Sequence, residues 1–254
     1  MRPSTLPALL AAALIVLGGC TTRSSKDDAL LFDIPGPVAV LVESFGGDVT
    51  IEADPRLTQA SVRVKRAADF GFVRESDASA ALDAIGYTAS LESTGSGPVL
   101  TIRATSDHPE SHGLYAHVTI RMPAVDGLTV RTARGDVYAK NCQGPTEIST
   151  TGGDVRYMTN WAITQPVTIT NKEGAIDFRV RGESTGAIEA STIDGKVRER
   201  ARHGRFVIHS HTGRAMRATL NDGTNPILLT TEEGHVRIAV VHDPTAVGVF
   251  IVDP

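Results

Sequence analysis

The chain has 254 residues, and its 25 basic and 29 acidic side chains give a formal net charge of −4. This balance excludes the strongly basic surface that marks a nucleic-acid-binding protein, so no nucleic acid partner is expected. Aromatic residues make up only 5% of the chain, and there are 24 glycines. Such a composition favours thin, stacked β layers over a large globular core.

The first 19 residues are predicted to be a lipoprotein signal peptide. A basic start at Arg2 precedes the apolar run Leu6–Leu17, which is too short to span a membrane. The run ends in Leu-Gly-Gly-Cys20 and resembles the lipobox of bacterial lipoproteins, which implies cleavage before Cys20 and acylation of that residue, for example with palmitate. We therefore expect a lipid anchor in the bacterial cell envelope, and Thr21 favours the outer membrane. The alternative is an ordinary signal peptide with an incidental cysteine.

Residues 20–37 are predicted to form a flexible tether, because they are mostly polar and end in Pro-Gly-Pro. A first coil begins at Val38, where apolar residues alternate on both sides of Gly47. The remainder of residues 38–127 is predicted to be a capping insertion, with strands over 60–66, 98–103 and 115–122 and one short helix over 76–85. Such a cap covers the pairing edge that a bare first coil would expose.

Residues 128–254 are predicted to be the repeat solenoid with a closing strand, because one glycine-centred phrase recurs through most of this segment. Its glycines are spaced by 18, 21, 21, 18 and 21 residues, a period typical of stacked-repeat folds. Together with the glycine of the first coil, the predicted turn glycines are Gly47, Gly135, Gly153, Gly174, Gly195, Gly213 and Gly234.

Apolar residues stand two apart before and after each glycine, which is the period of a half-buried strand. Each copy is therefore a strand, a glycine turn and a strand. One copy cannot bury its apolar side alone, whereas stacked copies share a continuous core. We predict an all-β protein, a parallel β-solenoid of about six to seven coils with a small β-rich N-terminal cap containing one short helix. The segment Val247–Val252 is expected to close the far end.

A small polar residue stands three positions before each glycine and shares the inward-facing side of the strand. Stacked in register, these side chains would form a ladder whose hydroxyl groups satisfy one another and the backbone of the turns. The predicted ladder consists of Ser44, Thr132, Thr150, Asn171, Thr192, Ser210 and Thr231.

These features together resemble the bacterial "putative adhesin" family of unknown function, the DUF4097-type β-solenoid domain. The resemblance rests on Val40–Ile51, on His117–Pro123, which is similar to the family's strand-then-proline entry into the repeats, and on the recurring Thr-x-x-Gly-x-Val phrase. It covers about residues 38–241. It implies a repeated β domain, often found on envelope proteins, with no established catalytic residues.

Two sets of side chains are candidate metal ligands. His209 and His211 lie two apart on one predicted strand and could begin a zinc site, with Glu232 and His235 as neighbours on the next coil. The alternative is a pair of solvated surface histidines.

The second set consists of Asp48, Asp136 and Asp154, which each follow a turn glycine and could share a calcium ion. Ordinary turn chemistry is the alternative, because aspartate is common after glycine. We predict no metal at either set.

A basic flank is the third candidate site, and an acidic glycan or an anionic surface could bind there. The alternative is a solvated face with interspersed acids. The flank comprises Arg156, Lys196, Arg198, Arg200, Arg202, Arg205, Arg214 and Arg237.

Two single residues are interpreted as structural. Cys142 is predicted to be a small turn or core residue, because no strong cue for thiolate activation surrounds it. Trp161 is predicted to plug the core from a loop, with a binding anchor as the alternative.

Catalysis finds little support in the sequence. No motif for nucleophilic, phosphate-binding or zinc-peptidase chemistry is present, and no acid pair is clearly spaced for glycoside cleavage. We therefore predict a non-catalytic envelope lipoprotein, without a cofactor, whose repetitive surface binds a protein or a glycan. One alternative is a structural or sensory envelope module that acts through a protein partner. A carbohydrate-active β-helix enzyme is the other.

Overall fold

The computed structural model describes residues 23–34, 36–69, 75–95, 97–108 and 111–246. These ranges contain one α-helix, α1 (Glu75–Asp83), and one 3₁₀ turn (Ser111–Gly113). The strands in chain order are β1 (Arg23–Phe32), β2 (Val38–Ser44), β3 (Val49–Ala53), β4 (Ala60–Asp69), β5 (Ile85–Thr94), β6 (Gly97–Ser106), β7 (Leu114–Met122), β8 (Val125–Arg134), β9 (Val137–Lys140), β10 (Gln143–Gly152), β11 (Val155–Met158), β12 (Val167–Glu173), β13 (Ile176–Arg181), β14 (Gly186–Asp194), β15 (Val197–Ala201), β16 (Phe206–His211), β17 (Ala215–Leu220), β18 (Pro226–Glu233) and β19 (Val236–Val241).

The strands form two sheets that face each other across one core. Sheet A has the order β1-β4-β7-β3-β9-β11-β13-β19-β15, and sheet B has the order β16-β17-β14-β18-β12-β10-β8-β2-β6-β5. Parallel layers run through the middle of both sheets, and each layer contributes one strand to each sheet. Along the axis the layers are β6/β7, β2/β3, β8/β9, β10/β11, β12/β13, β18/β19 and β14/β15. The predicted all-β, solenoid-like architecture is confirmed.

The core lies between the sheets because side chains alternate between the two faces of a strand. In β2, Val38, Val40 and Val42 are buried while the residues between them are half-buried on the outer side. The same alternation places Val49 and Ile51 of β3 against them from the other sheet. Burying an aliphatic side chain of this size stabilises the fold by about 1.5–3 kcal/mol, so the stacked layers hold one continuous apolar column.

Antiparallel strands and α1 close the N-terminal end. β4 pairs antiparallel with β7 in sheet A, and β5 pairs antiparallel with β6 in sheet B. The helix brings Ala78, Ala81 and Leu82 into a second apolar cluster that includes Leu114 of β7. The predicted cap with one short helix is thus present, and its helix lies within two residues of the predicted bounds.

The prediction of a flexible tether over residues 20–37 is wrong for β1. This strand pairs with β4 along its whole length, from Arg23 opposite Asp69 to Phe32 opposite Ala60. Leu30 and Phe32 pack against the core, and Asp28 accepts a hydrogen bond from Arg66 at 2.9 Å. Those contacts give the segment a fixed place at the edge of sheet A.

The coils are not stacked in sequence order at the C-terminal end. The last coil, β18/β19, lies between β12/β13 and β14/β15. The glycine positions support this insertion, because a Cβ atom at Gly186 would lie 2.6 Å from the Cδ1 atom of Ile227. Absence of a side chain at that point lets β18 pack beside β14.

The segment around Gly213 is a hairpin and not a coil, so this part of the repeat prediction is wrong. β16 and β17 pair antiparallel with each other, and β17 pairs antiparallel with β14. The amide of Thr212 donates to the carbonyl of Ala215 at 2.9 Å across the turn. Both strands therefore stay in sheet B and close its end.

The signal peptide, Cys20 and the predicted closing strand Val247–Val252 lie outside the described residues. Among the helices in the described part of the chain, none combines the length and apolar character needed to cross a bilayer.

Candidate binding surfaces

Six of the seven predicted ladder residues form one column that runs along the solenoid axis. The strand register pairs Ser44 with Thr132 and Thr132 with Thr150. It continues from Thr150 to Asn171, from Asn171 to Thr231 and from Thr231 to Thr192. Ser210 is excluded, because it is exposed in the antiparallel hairpin opposite Arg217.

The side chains of this column donate hydrogen bonds to the carbonyl groups of the turns, and not to one another. The hydroxyls of Thr132 and Thr150 donate to the carbonyls of Arg134 and Gly152 at 3.0 and 3.2 Å. Further along, the donors cross to the neighbouring coil, and the side-chain amide of Asn171 donates to the carbonyl of Gly153 at 2.8 Å. Thr192 Oγ1 donates to the carbonyl of Gly234 at the same distance. These polar side chains therefore hold the turns together.

The turn glycines stack directly on one another. A Cβ atom at Gly153 would meet the carbonyl of Gly135, and the φ angle of Gly153 is +117°. The column continues through the other turn glycines, with Gly234 placed before Gly195, whereas Gly213 has open space around it at the tip of the hairpin. All the predicted turn glycines except Gly213 therefore belong to one stack, and Gly213 lies in the turn of the hairpin.

The three aspartates after the glycines link successive coils. Asp48 Oδ1 accepts the amide of Asp136 at 3.0 Å, and Asp136 Oδ1 accepts the amide of Asp154 at 2.8 Å. Asp154 Oδ1 continues the series by accepting the amide of Ala175 at 2.8 Å. Each carboxylate thus uses an oxygen on the backbone of the next coil, which explains the recurring aspartate without calcium. The described residues contain no group of three or more His, Cys, Asp or Glu side chains arranged to hold a metal ion.

The two histidines do not meet, so the zinc geometry considered for them is wrong. A register shift between Ile208 and Ser210 turns His209 away, and its Nε2 lies 2.8 Å from Thr219 Oγ1. His211 is opposite the buried Met216, and its Nε2 lies 3.2 Å from the carbonyl oxygen of Val197. The expected neighbours are also absent, because β18 packs between β12 and β14 and not beside β16.

The structure places Cys142 in the core, as predicted. Burial raises the pKa of the Cys142 thiol to about 12. Its carbonyl oxygen accepts hydrogen bonds from Tyr157 Oη and Thr159 Oγ1, each at 3.1 Å. A protonated, enclosed thiol is unreactive at neutral pH.

Trp161 does not plug the core, because 46% of it is exposed to solvent. Ile163 takes that position instead, is 6% exposed and belongs to the main core cluster. Trp161 lies at the edge of a cavity of about 180 Å³ that also reaches Cys142 and Tyr157. The alternation of the sequence stops in this loop, so no periodic signal identified the residue that turns inward.

The outer face of sheet B carries a wide groove, which the sequence did not predict. Its volume is about 770 Å³. We call it the sheet B groove. Apolar and hydroxyl side chains of the five neighbouring strands β6, β2, β8, β10 and β12 line it, and its outward-facing lining includes Ala39, Leu41, Val99, Thr129, Pro145, Glu147, Pro166, Thr168 and Thr170.

A row of alternating charges borders the sheet B groove. Arg103 Nε lies 2.8 Å from Glu43 Oε2, and Arg131 lies 3.6 Å from the same carboxylate. On its other side, Arg131 Nη2 lies 3.0 Å from Glu147 Oε1. The hydrogen bond with Glu147 raises the pKa of Arg131. Arg103, Glu43 and Arg131 therefore form one row across three strands beside the groove, and Glu147 on a fourth strand lies diagonal to Arg131 within the groove lining.

The outer face of sheet A is basic over β11, β13, β19 and β15. The register places Arg156, Asp177, Arg237 and Arg198 side by side in one row. Asp177 is buried, pairs with Arg179 through two hydrogen bonds of 2.9 and 2.6 Å, and lies 3.5 Å from Arg156. The arginines of this row were predicted from the sequence, whereas the buried Asp177–Arg179 pair was not.

The basic flank predicted from the sequence is only partly one surface. Arg198, Arg200 and Arg202 stand on alternate positions of one strand and its extension, next to Arg237. Arg205 instead pairs with Asp222 at 2.7 Å in the loop region of the hairpin. Arg214 lies in the hairpin turn, where its carbonyl accepts the amide of Thr192 at 2.9 Å.

A family model and one solved structure agree with this architecture. The family model described as Toastrack DUF4097 matches residues 40–239. A structure described as a putative cell adhesion protein from Clostridium sporogenes aligns with a TM-score of 0.55 at 11% identity, over 85% of this chain and 99% of that chain. A structure described as a putative adhesin from Bacteroides fragilis aligns with a TM-score of 0.30 at 10% identity, over 84% of this chain and 96% of that chain.

No curated protein matches the chain. The likeness to the Clostridium sporogenes protein concerns the fold, because the sequences are only 11% identical. The family model spans most of the chain, from β2 of the first coil into β19, the last described strand in chain order. The chain therefore belongs to the Toastrack DUF4097 family.

Proposed function

We propose that the protein is a non-catalytic, adhesion-type protein of the cell envelope that binds a glycan chain in the sheet B groove. The observation that carries this proposal is the groove itself, which has a volume of about 770 Å³ and runs across several parallel strands. Because equivalent residues recur about every 4.8 Å from strand to strand, the groove offers a periodic surface to a periodic polymer.

The chemistry of the groove suits sugar rings. Leu41, Val99 and Pro166 provide apolar surface for the faces of a ring, and the threonines between them provide hydroxyl groups. The neighbouring carboxylates and guanidinium groups can each hydrogen-bond two adjacent hydroxyl groups of a sugar. The groove thus offers contacts to both the apolar ring faces and the hydroxyl groups of a glycan.

A non-catalytic role is supported because the polar side chains of the turns are engaged in structural hydrogen bonds. The hydroxyl column and the aspartate column are occupied by hydrogen bonds to the backbone of their own or neighbouring coils. Cys142 is enclosed and its pKa is raised to about 12. The name of the Clostridium sporogenes protein points in the same direction, since it refers to cell adhesion.

The proposal includes a lipid anchor at Cys20, with the outer membrane as the favoured site. β1 begins at Arg23, so only a few residues separate the proposed anchor from sheet A. An extended chain spans at most about 3.6 Å per residue, so the edge of the sheet would stay within about 10–15 Å of the bilayer. The β1 end of the solenoid would therefore face the membrane.

Glycan binding is tested with the chain from residue 20 onward carrying Cys20→Ser, applied to an array of bacterial and host glycans. Thr168→Arg places a long side chain on the floor of the sheet B groove. Thr50→Arg is the matched control, because Thr50 is a half-buried, outward-facing threonine in the centre of sheet A. We expect Thr168→Arg, and not Thr50→Arg, to abolish glycan binding. Absence of any glycan ligand, or binding that is insensitive to Thr168→Arg, would overturn the proposal.

The anchor is tested separately by metabolic labelling with a palmitate analogue. We expect label on the full chain and none on Cys20→Ala, together with loss of the protein from the membrane fraction. An unlabelled full chain that is cleaved after a different residue would contradict lipidation without affecting the groove.

A further inference from the structure

At the C-terminal end of the solenoid, sheet B extends further along the solenoid axis than sheet A does. Sheet B continues beyond β14 with β17 and then β16, whereas sheet A stops at β15. The two hairpin strands therefore overhang the last strand of sheet A. No strand among the described residues pairs with the outer edge of β15.

The backbone of β15 has free hydrogen-bonding groups on this edge. The direction of hydrogen bonding alternates along a strand, and the amide of Arg202 donates to Val240 of β19 at 2.9 Å. The backbone amide and carbonyl groups of Glu199 and Ala201 therefore point away from β19. Within the described part of the chain, no backbone partner lies opposite the amide and carbonyl groups of these two residues. Only Val197 is covered on this side, because its amide donates to the carbonyl of Gly213 at 2.8 Å.

The outward side of the same edge is strongly basic. Arg198, Arg200 and Arg202 occupy alternate positions, so their side chains share the outer face about 6.6 Å apart along the strand. Arg237 lies beside Arg198 on β19. Within the described residues, none of these four arginines forms an ion pair.

The inward side of the edge is apolar at Ile208 and Phe206, and near its start Glu199 faces inward and lies 3.7 Å from His211. Ile208 of β16 is opposite Ala218 and therefore faces the core side of sheet B, yet 43% of it is exposed. Phe206 on the same strand is only partly buried against the core. Both side chains lie over the position that a further strand of sheet A would cover.

We propose that the open edge of β15 binds an extended segment of a partner protein, in which acidic and apolar residues alternate, by addition of a strand to sheet A. Backbone groups of Glu199 and Ala201 supply the hydrogen bonds, the arginines pair with the acidic residues, and the apolar residues cover Ile208 and Phe206. About five residues of the partner are enough to occupy this edge. The edge of β15 is a different surface from the sheet B groove, and strand addition there does not depend on glycan binding.

Among occupants from outside this chain, a protein partner accounts for more of the edge than a second copy or a glycan does. A second copy of this chain paired through β15 would bring two sets of arginines together, and like charges opposite each other destabilise a sheet. A polyanionic glycan could contact the arginines but would leave the backbone groups and the apolar step without partners. An acidic strand satisfies all three features.

The position of the edge suits recognition away from the membrane. β1 and β15 are at opposite ends of sheet A, with eight inter-strand spacings between them in the strand order. At about 4.8 Å per spacing, the two edges are about 38 Å apart. If Cys20 carries the lipid, β15 is the end that reaches outward.

The test measures binding of a fluorescent acetylated peptide, Glu-Val-Glu-Val-Glu-Val, to the chain from residue 20 onward with Cys20→Ser. Two control peptides are its block isomer, Glu-Glu-Glu-Val-Val-Val, and the alternating peptide with N-methyl groups on the pairing amides. Arg200→Glu/Arg202→Glu removes the outer charges. Ala201→Pro removes one free amide, and proline is tolerated at an edge where the amide faces solvent. Arg63→Glu on β4 is the control for a general change in charge.

We expect the alternating peptide to bind, and the double arginine variant and Ala201→Pro each to weaken binding at least about tenfold. Arg63→Glu should leave binding of the alternating peptide unchanged. The block isomer and the methylated peptide should bind weakly, because strand addition needs both the alternation and the free amides, whereas simple attraction between charges does not. Equal binding of heparin, the block isomer and the alternating peptide would overturn the proposal in favour of a polyanion site. Absence of peptide binding, with self-association of the double arginine variant, would overturn it in favour of arginines that only prevent edge-to-edge pairing. Unfolding midpoints of all variants show whether each remains folded.

Discussion

Thr231 donates its hydroxyl group to the carbonyl oxygen of Gly174 at 2.9 Å, although 57 residues separate the two in the chain. The contact joins the last coil to the coil of β12 and β13, because β18 inserts between β12 and β14. Thr231 is fully buried. The out-of-order coil is thus fastened by the same polar column that holds the sequential ones.

Replacing Thr231 with valine removes this hydroxyl and leaves the Gly174 carbonyl without its donor. Since an unsatisfied buried polar group costs about 1–3 kcal/mol, we expect the free energy of unfolding to fall by that amount in urea titrations. Thr230→Val is the matched control, because Thr230 is the adjacent, exposed residue on the outer face. Equal losses for the two variants would contradict a specific role of the column.

Adjacent glycines at 152 and 153 should differ sharply in their tolerance of a methyl group. Gly153 has a φ angle of +117° and lies against the Gly135 backbone, whereas nothing lies within 4 Å of a Cβ atom at Gly152. We expect Gly153→Ala to lower the free energy of unfolding by about 3 kcal/mol or more. Gly152→Ala should change it by less than about 1 kcal/mol. Thermal and urea unfolding of the two variants would measure the difference.

The aspartate column predicts a distinction between the amide and the alanine variants at position 136. Asp136→Asn keeps the Oδ1 atom that accepts the amide of Asp154 at 2.8 Å, so we expect little loss of stability. Asp136→Ala removes the acceptor and should cost about 1 kcal/mol. Calcium and a chelator should leave the unfolding midpoint unchanged. A midpoint that rises with added calcium would revive the ion-binding interpretation of these residues.

Two aspartate–arginine pairs with the same spacing offer a test of burial. Asp177 and Arg179 form a buried pair at 2.6 Å, while Asp54 and Arg56 form an exposed pair at 2.7 Å. Removing one partner of a buried pair leaves an uncompensated charge and costs about 3–5 kcal/mol, so Asp177→Ala should be strongly destabilising. Asp54→Ala should have only a small effect in the same denaturation assay. Similar effects at both sites would show that burial does not set the cost here.

Stability should decline at alkaline pH because of Cys142. The folded protein raises the pKa of this thiol from 9.0 to about 12, so the unfolded chain loses its proton first as pH rises. The contribution of the protonated, buried thiol to the free energy of unfolding is fully present below pH 9, and it is lost between pH 9 and about 12. Burial also raises the pKa of Tyr157 and acts in the same direction.

Urea unfolding at several pH values measures this effect, with Cys142→Ala as the comparison. In a chain with Cys20→Ser, Cys142 is the only thiol. We expect it to resist a thiol reagent at pH 8 until the protein unfolds. Rapid labelling of the folded chain would contradict the enclosed position of the thiol.

Local patterns predicted most of the individual elements. The alternation in β2 and the glycine that follows it specify a strand and a turn within about ten residues, and both are found as expected. Side-chain period and the φ angle of glycine are properties of a short segment, so a single sequence reveals them. The tether prediction failed at β1 because pairing with β4 and the contacts of Leu30 with the core are long-range.

Candidate sites were less predictable than elements. The arginines of β15 were identified, but their proposed role depends on the edge of β15, which has no strand partner among the described residues because β17 pairs with β14, and β16 with β17, in sheet B. In the same way, the sheet B groove joins side chains from strands that are distant in sequence, such as Leu41 and Thr168. Neither surface has a local signature.

By itself, the sequence determined that this chain is built from short strands joined by glycine turns around a shared column of small polar residues. The tertiary structure decided the order in which the coils stack, the hairpin at Gly213 and which strand edge has no partner within the described part of the chain. The physical reason is that coils of similar length and pattern offer nearly equivalent hydrogen-bonding edges to one another. The choice among them therefore depends on long-range contacts, such as Gly186 with Ile227 and Thr231 with Gly174.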